Sequence, residues 1–489
     1  MSSSKPTPIS LSNIDRQTMW LYIVLVATGW LMIFAVNYDA VQDNGVFNLT
    51  YDPGKQLFFI IVCAGLLFFI FLIDWAFWRT FALVLYALSL VLLIGPIFVG
   101  REVNGANAWY QLGGFSFQPS EIAKFGTSLA MAGYLSSTGV NLREWKSRLI
   151  AFSIFLIPVL IILLEKDTGS ALVFFSFVMV LYREGLPGRW YAVGFTTIAL
   201  VLLGLLYAPE SIIAFLILVA CAWLIGRFKD GRYWWWGLVA VAALTNWWYD
   251  AAVWMLGQIG WSAQDFPMLK WGVVAPPLLL FIPAFILNYW RKNSLIQQSL
   301  QMGVVVLVLS AGLVYSANFA YNLLAPHQQQ RITIWLKPSQ VTDTRGSAYN
   351  LLHSKMAIGS GGLMGKGFLD GNMTKGKYVP EQSTDFIFCT IGEEQGFVGV
   401  FGLIFLFTWL LWRITVIAER QRSHFSRIYA YGIAGILFVH FLVNVGMTMG
   451  VFPIIGIPLP FVSYGGSSLI GFTLMIGVLL KLDSQRNLA

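Results

Sequence analysis

A polar stretch between residues 325 and 394 holds the residue types from which this chain could build a reaction site. Glycines, lysines and carboxylates are concentrated there, whereas only 11% of the whole chain is charged. Loops of this length inside a compact protein are usually functional or disordered. Aromatic and aliphatic residues such as Trp335, Ile358 and Phe386 allow the stretch to pack, so we expect an ordered, functional loop.

Asp385 lies where this loop changes into an apolar segment, in the run Ser-Thr-Asp-Phe-Ile-Phe. A carboxylate at such a boundary is partly desolvated, which favours its protonated form and suits a general base. The alternative is structural, since Ser383, Thr384 or Asp385 could cap the amino terminus of the following helix. The local sequence does not decide between a base and a cap.

A glycine-rich run, Gly359 to Gly367, superficially resembles a phosphate-binding loop and has Lys355 and Lys366 nearby. It lacks the Walker spacing and the Lys-Ser/Thr pair, which argues against an ATP site. Its backbone N–H groups could still surround a pyrophosphate together with the two lysines. The residues before it, Tyr349 to Ile358, predict an amphipathic helix on the membrane surface.

Glu121 and Lys124 form a second candidate pair, near the start of an apolar helix that follows Pro119. With i and i+3 spacing they lie on one helix face, where they can neutralise each other within the membrane. A structural ion pair and a substrate contact are equally consistent with this spacing. Asp167 and Asn444 add polar groups at the ends of other apolar segments.

The composition places these groups in a membrane protein. Of 489 residues, 57% are hydrophobic and 16% are aromatic, which is too apolar for a soluble domain. The net charge is +8, but in a membrane protein an excess of Lys and Arg mostly reflects topology, so we expect no nucleic-acid partner. The three cysteines show no CxxC or Cys/His spacing, which argues against a zinc site or disulfide framework.

Apolar runs of about twenty residues are long enough to span a bilayer. We predict an all-α polytopic membrane protein with about fourteen such helices and one large extracytoplasmic loop at 323–392. Lys and Arg gather in alternate short connections, which predicts that both termini are cytoplasmic. The predicted spans are 18–37, 56–74, 80–99, 119–137, 148–164, 169–184, 191–208, 211–226, 233–250, 271–289, 302–322, 393–413, 427–447 and 465–481.

Taken in this order, the motifs resemble the SEDS family of bacterial cell-wall proteins. The resemblance is carried by Gln118-Pro-Ser-Glu-Ile-Ala-Lys, by Tyr349 to Gly367, by Pro380-Glu with Thr384-Asp-Phe-Ile-Phe and Gly392-Glu-Glu, and by Pro453 to Ser468. Details such as Gly456-Ile-Pro-Leu-Pro are closer to the members that act in cell elongation than to the division members. One departure is Glu165-Lys-Asp-Thr-Gly, where the family usually has Gln-Pro-Asp-Leu-Gly.

The family usually has ten membrane helices, so the resemblance implies that the Trp-rich block at 191–290 is an insertion of about four helices. We therefore predict an amino-terminal core at 1–190 and a carboxy-terminal core at 291–489, with the catalytic loop at 323–392. The Trp residues of the inserted block are interpreted as anchors at the membrane interfaces.

The resemblance implies a peptidoglycan glycosyltransferase that polymerises lipid II on the outer face of the bacterial cytoplasmic membrane. Asp385 matches the family's proposed catalytic aspartate and would be the general base of an inverting reaction. No cofactor is required by the sequence, no metal ligands are assigned, and a divalent cation, Mg²⁺ or Mn²⁺, is compatible with the chemistry. The residues predicted to contact diphosphate or sugar are Lys355, Lys366, Arg331, Glu121, Lys124, Glu381 and Ser463.

The implied partners are lipid II, the undecaprenyl diphosphate-linked glycan, membrane lipids and a class B penicillin-binding protein that acts as transpeptidase. Two other functions stay open at this point. Many spans and buried charges also suit a lipid II flippase, and a non-catalytic scaffold for the transpeptidase needs no chemistry at all.

Overall fold

The computed structural model describes residues 14–103, 106–112, 115–225, 258, 274–290, 294–324, 326–338 and 346–486. The chain divides into two compact units. The first combines residues 1–187 with 341–489, and the second consists of residues 188–340.

The first unit is built from helices that bury one side against each other and leave an apolar side exposed. In a bilayer such a side contacts lipid tails, because a helix satisfies its own backbone hydrogen bonds. The helices that precede the polar loop are α1 (Arg16–Val36), α2 (Tyr38–Asn44), α3 (Asp52–Leu72), α4 (Trp75–Thr80), α5 (Ala82–Ile94), α6 (Pro96–Val99), α7 (Pro119–Leu135), α8 (Trp145–Leu164), α9 (Thr168–Phe174) and α10 (Phe177–Arg183).

The polar loop itself contains helices, and three long helices follow it. The amphipathic helix predicted before the glycine-rich run is present as α16 (Ser347–Ser360), and a short helix, α17 (Asn372–Lys375), follows that run. The long helices are α18 (Ile387–Glu419), α19 (His424–Met449) and α20 (Gly466–Ser484).

The second unit contains α11 (Arg189–Leu206), α12 (Pro209–Ile225), α13 (Ala275–Tyr289), α14 (Ser294–Leu323) and α15 (Pro326–Leu336). Helix α14 packs along α11 and α12. Gly204 permits the closest approach, because a Cβ at this position would lie 3.1 Å from the carbonyl oxygen of Val314.

Nine helices within the described ranges are long and apolar enough to cross a membrane. Four further predicted spans correspond to shorter or interrupted helices: α7, α9 with α10, α12 and α13. The predicted span at 233–250 lies outside the described residues. The membrane character is therefore supported, whereas the number fourteen is not established.

A three-stranded antiparallel sheet interrupts the helices between α6 and α7, so the all-α prediction was wrong here. Its strands are β1 (Arg101–Val103), β2 (Ala106–Leu112) and β3 (Phe115–Phe117), in the order β1-β2-β3. The sequence carried a signal for it, since Gly113-Gly114 between two runs with aromatic residues is typical of a hairpin. The sheet lies against the end of α8, where the Asn107 N–H donates to the Glu165 carbonyl oxygen at 2.9 Å.

The core of the first unit brings distant parts of the chain together. Helix α5 packs on α7, α18 on α19, α20 on α3, and α19 on α7. Gly471 of α20 allows the contact with α7, because a Cβ there would be only 3.2 Å from Cβ of Glu121. The polar loop has a small core built from Ala357, Val379, Phe386 and Cys389, to which Ile454 after α19 contributes.

Candidate active site

Asp385 lies in the turn that precedes α18 and is half-buried. Its backbone N–H donates to the Glu381 carbonyl oxygen at 3.1 Å, and its own carbonyl oxygen accepts from Asn444 Nδ2 at 2.9 Å. Its carboxylate faces Gly456, where a Cβ would lie 3.1 Å from Oδ2. The backbone of Asp385 is thus held from two sides, and the absence of a side chain at 456 makes room for its carboxylate.

The interpretation of Ser383, Thr384 or Asp385 as a helix cap was wrong. Helix α18 begins at Ile387 and its capping position is Phe386, whose side chain makes no capping hydrogen bond. Ser383 instead donates to Asp52 Oδ2 at 3.0 Å, and Thr384 donates to the Glu381 carbonyl oxygen at 3.1 Å. These bonds shape the turn that presents Asp385.

The irregular segment from Pro453 to Tyr464 forms the other side of the site. Asn444 Nδ2 donates to the Ile457 carbonyl oxygen at 2.7 Å as well as to Asp385, so one amide connects the segment to the turn. Ser463 Oγ accepts from the Leu459 N–H at 2.9 Å and is 4% exposed. The predicted substrate residue Ser463 therefore closes a turn within this segment.

Glu121 and Lys124 form the ion pair that their spacing predicted, with Lys124 Nζ 2.8 Å from Glu121 Oε1. Lys124 Nζ also lies 2.8 Å from Nε2 of His440, and all three side chains are buried. An ammonium can only donate, so Nε2 accepts and the imidazole carries its hydrogen on Nδ1. That nitrogen lies 3.2 Å from the Pro458 carbonyl oxygen, to which it donates.

His440 is thus a residue that the sequence analysis missed. It connects the buried ion pair of α7 to the same irregular segment that faces Asp385. Asn444 lies one helical turn further along α19 and connects the segment to Asp385 itself. No local signal marks His440, because its partner Lys124 is distant in sequence.

Part of the backbone of the glycine-rich run is engaged within the protein, and the cradle for pyrophosphate stays a prediction. The N–H groups of Gly365, Lys366 and Gly367 donate to the carbonyl oxygens of Gly361, Glu393 and Glu394. Two of the glycines serve close packing, since a Cβ at Gly361 or Gly365 would collide with the backbone of α18.

Lys366 and Glu393 hold this run against α18. Lys366 Nζ lies 2.7 Å from Glu393 Oε1, and the carboxylate of Glu393 is fully buried. Glu393 also accepts from the N–H groups of Met373 and Thr374, both at 2.9 Å. The ammonium of Lys366, predicted to contact diphosphate, is therefore engaged by a carboxylate in this structure.

Lys355 and Glu381 are more accessible. Both are exposed, and Lys355 Nζ lies beside Gly450, where a Cβ would approach it to 2.6 Å. Gly450 follows Asn444 by six residues, so Lys355 lies roughly 9 Å along α19 from the amide that holds Asp385. Glu381 adopts φ +57° and accepts from Thr384 Oγ1 at 3.1 Å. Arg331 belongs to α15 in the second unit.

Gln118 connects the sheet and α7 to the segment before α9. Its Nε2 donates to Asp167 Oδ2 at 2.8 Å, while Asp167 Oδ1 accepts from the Ser170 N–H at 3.0 Å and so caps α9. The neighbouring Glu165 is 1% exposed, and neither of its carboxyl oxygens has a hydrogen-bond partner within the described residues. Burial and the charge of Asp167 raise the pKa of Glu165 to about 8.

No group of three His, Cys, Asp or Glu side chains in the described part of the chain could hold a metal ion. The divalent cation stays a prediction, and no step below is derived through it.

Comparisons with known proteins identify the family of this chain. A family model described as a cell cycle protein, for FtsW, RodA and SpoVE, matches residues 16–228 and 293–488. The peptidoglycan glycosyltransferase RodA of Treponema pallidum is 29% identical over 484 residues, which cover 97% of this chain and 99% of that protein. The peptidoglycan glycosyltransferase MrdB of Escherichia coli is 28% identical over 405 residues, which cover 83% and 78%.

Solved structures show the same fold. RodA of Thermus thermophilus, a rod shape determining protein, has 24% identity and a TM-score of 0.54, covering 98% of this chain and 99% of that one. A chain from a peptidoglycan synthase complex, in which polymerization and crosslinking are coordinated, has 24% identity and a TM-score of 0.61, covering 97% and 98%. Because the family model matches on both sides of the 229–292 gap, the chain belongs to the FtsW/RodA/SpoVE family of cell cycle proteins, the SEDS family.

Proposed function

We propose that this chain is a peptidoglycan glycosyltransferase that polymerises lipid II at the outer face of the cytoplasmic membrane, in the manner of its elongation-type relatives. The observation that carries the proposal is the placement of Asp385. Its half-buried carboxylate faces Gly456, and Asn444 holds its backbone. The names of the relatives supply the reaction class.

In the proposed reaction the 4-hydroxyl of one sugar attacks the anomeric carbon of another. Asp385 accepts the hydroxyl proton as the new C–O bond forms. The bond from the anomeric carbon to the diphosphate breaks, and undecaprenyl diphosphate leaves with the electron pair. A single displacement inverts the anomeric centre, so no covalent intermediate with the protein is needed.

Binding of the diphosphate is assigned to Lys355 in this proposal. Lys355 is exposed. Its ammonium lies beside Gly450, at the end of α19, the helix that also carries Asn444. Cations that meet the charge of a departing diphosphate lower the barrier to its departure. Lys366 has a supporting role, because its pairing with Glu393 fixes the glycine-rich run.

The alternation of cationic connections supports cytoplasmic termini and an extracytoplasmic Asp385. A class B penicillin-binding protein is the proposed partner, because polymerised glycan must be crosslinked and a chain of the same fold occurs in a complex that coordinates both steps. The relatives are named as glycosyltransferases, which does not favour the flippase or the scaffold.

The test is polymerisation of lipid II by purified protein in detergent, with and without the transpeptidase. A polymerase makes glycan there, a flippase needs a sealed bilayer, and a scaffold makes nothing. Asp385→Asn should lower the rate by about 10²–10⁴-fold, the usual contribution of a general base. Asp370→Asn is the matched control, because Asp370 is an exposed carboxylate of the same loop.

Two outcomes contradict the proposal at different levels. Near-wild-type glycan synthesis by a folded Asp385→Asn variant contradicts the role of Asp385 as general base but not the glycosyltransferase activity. If wild-type protein makes no glycan even with its partner, the glycosyltransferase activity itself is contradicted.

A further inference from the structure

A small pocket of the first unit lies where α1 begins and where α18 and α20 approach their ends. Its volume is about 320 Å³, and its lining includes Arg16, Arg413, Arg420 and Arg486. In the sequence these arginines are spread over the whole chain and were interpreted as markers of topology. The structure brings them to one place on the face that carries the termini.

Two buried aspartates lie among these arginines. Asp15 Oδ2 accepts from Arg413 Nη2 at 2.5 Å and from Arg420 Nη2 at 2.9 Å. Arg420 also pairs with Asp483, whose carboxylate is fully buried. The network thereby joins the amino-terminal helix to two of the three carboxy-terminal helices, α18 and α20.

The charges of the network do not balance. Four guanidinium groups accompany two carboxylates. Within the described residues Arg16 forms no ion pair, and Arg486 approaches Asp483 only to 3.5 Å. Burial opposes ionisation of Asp15, but the hydrogen bonds from Arg413 and Thr18 and the charge of Arg413 together outweigh it and hold the pKa of Asp15 well below its usual range. The four arginines therefore exceed the two carboxylates of the network by two positive charges, although Arg486 reaches Asp483 at 3.5 Å.

The exposed Trp20 indicates that the pocket lies at the level of the membrane surface. Trp20 lies one turn along α1 from Arg16 and is 65% exposed. Tryptophans in such positions lie at the level of the lipid headgroups. Arginine offers a planar fork of N–H groups that matches phosphate oxygens, and basic pockets between membrane helices bind anionic headgroups. A pocket of this volume is at the lower limit for small ligands, which suits a headgroup.

We propose that this pocket binds the phosphate group of an anionic membrane lipid, with Arg16 and Arg486 as its main contacts. The phosphate compensates the excess charge of the network. Because the network joins α1 to α18 and α20, a bound headgroup also stabilises their junction. The site lies on the face opposite to the one proposed for lipid II polymerisation, so it is not the substrate site.

The experiment measures lipid binding to the purified full-length chain by native mass spectrometry and by thermal unfolding in detergent. Phosphatidylglycerol, phosphatidylcholine and inorganic phosphate are titrated separately. The test variant is Arg16→Gln with Arg486→Gln, which leaves the pairs of Arg413 and Arg420 intact. The control is Arg143→Gln with Lys146→Gln, which removes the same charge from two exposed residues of another cationic connection.

We expect phosphatidylglycerol to bind and stabilise the wild type and the control, and phosphatidylcholine to do neither. The test variant should bind phosphatidylglycerol roughly 25-fold more weakly, because each arginine near the anionic surface contributes about 1 kcal/mol and 1.4 kcal/mol is tenfold. Equal binding by both variants, or an equal loss in both, overturns the site. If inorganic phosphate stabilises the protein at the same concentrations, the proposal that the bound phosphate group belongs to a lipid is overturned.

Discussion

Lys124 Nζ and His440 Nε2 lie 2.8 Å apart in the buried centre of the first unit, although 316 residues separate them. The other imidazole nitrogen faces the Pro458 carbonyl oxygen at 3.2 Å. One side chain thus accepts from the ammonium of α7 and donates to the segment that faces Asp385. We infer that His440 is a positioning residue, which acts on the reaction through that segment.

Two substitutions of His440 distinguish the contribution of its hydrogen bonds to stability from the contribution of its volume. His440→Leu fills the space but removes the acceptor of one Lys124 N–H and the donor to the Pro458 carbonyl oxygen, while Lys124 keeps its pair with Glu121. The cost is about 1–3 kcal/mol per buried group. His440→Gln retains one donor and one acceptor. We expect the Leu variant to unfold at lower temperature and the Gln variant to recover most of the difference.

Glycan synthesis provides the second readout for His440. A positioning residue should lower kcat in the Leu variant more than KM changes, and Gln should rescue it. If the Leu variant unfolds like the wild type and polymerises normally, His440 positions nothing.

Gly456→Ala should impair the reaction at Asp385. Gly456 has φ +77°, which costs an alanine roughly 1–2 kcal/mol, and the new Cβ would lie 3.1 Å from Asp385 Oδ2. We expect a lower rate of lipid II polymerisation in protein that still folds. Gly65→Ala is the control, because a Cβ at this exposed position of α3 meets nothing within 4 Å. Equal activity of the two variants argues against close contact between residue 456 and the carboxylate.

The raised pKa of Glu165 predicts that the free energy of unfolding depends on pH. Its pKa is about 8, above the usual value of 4.5, so the folded state holds a proton that the unfolded state releases. The stabilisation is complete below about pH 4.5 and is lost as pH rises through about 8. Unfolding temperatures measured across this range should therefore fall with pH for the wild type.

Glu165→Gln, which introduces the residue usual in the family, should make that dependence shallower, because an amide does not titrate. Glu144→Gln, a change at an exposed carboxylate, should leave it unchanged. A wild-type slope that persists in the Glu165→Gln variant assigns the dependence to another group.

The features that could be predicted from the sequence are those with local causes. Apolar runs predict helices because a backbone in lipid must satisfy its own hydrogen bonds. The pairing of Glu121 with Lys124 followed from helical spacing, and α16 followed from its amphipathic pattern. Thirteen of the fourteen predicted spans correspond to helices for the same reason, although four of these helices are short or interrupted.

The features that were missed depend on contacts between distant segments. A lone histidine in an apolar helix gives no sign of its lysine partner. Gly361 and Gly365 pack against the backbone of α18, and this contact was not predicted because close packing and a phosphate cradle favour the same glycine-rich pattern. The family match continues to residue 228, past the boundary at 191, which stays a prediction.

The third buried partner, His440, changes what is expected when the charges of Glu121 and Lys124 are exchanged. Either single alanine change leaves a buried charge unpaired and should cost about 3–5 kcal/mol. If only the i and i+3 spacing mattered, exchanging the two residues would restore the ion pair. It also brings a carboxylate at 124 against His440 Nε2, which is an acceptor in this tautomer.

We therefore expect the exchange, Glu121→Lys with Lys124→Glu, to remain unstable. Adding His440→Gln should recover only part of the stability, because an amide that turns its NH₂ group toward the new carboxylate directs its oxygen at the Pro458 carbonyl oxygen, which needs a donor. Thermal unfolding of the single, double and triple variants checks this order, and wild-type stability of the double variant contradicts it. Lipid II polymerisation by a stable triple variant then decides the open question about the pair. Activity identifies a structural ion pair, whereas a stable but inactive protein identifies a pair whose orientation the reaction needs.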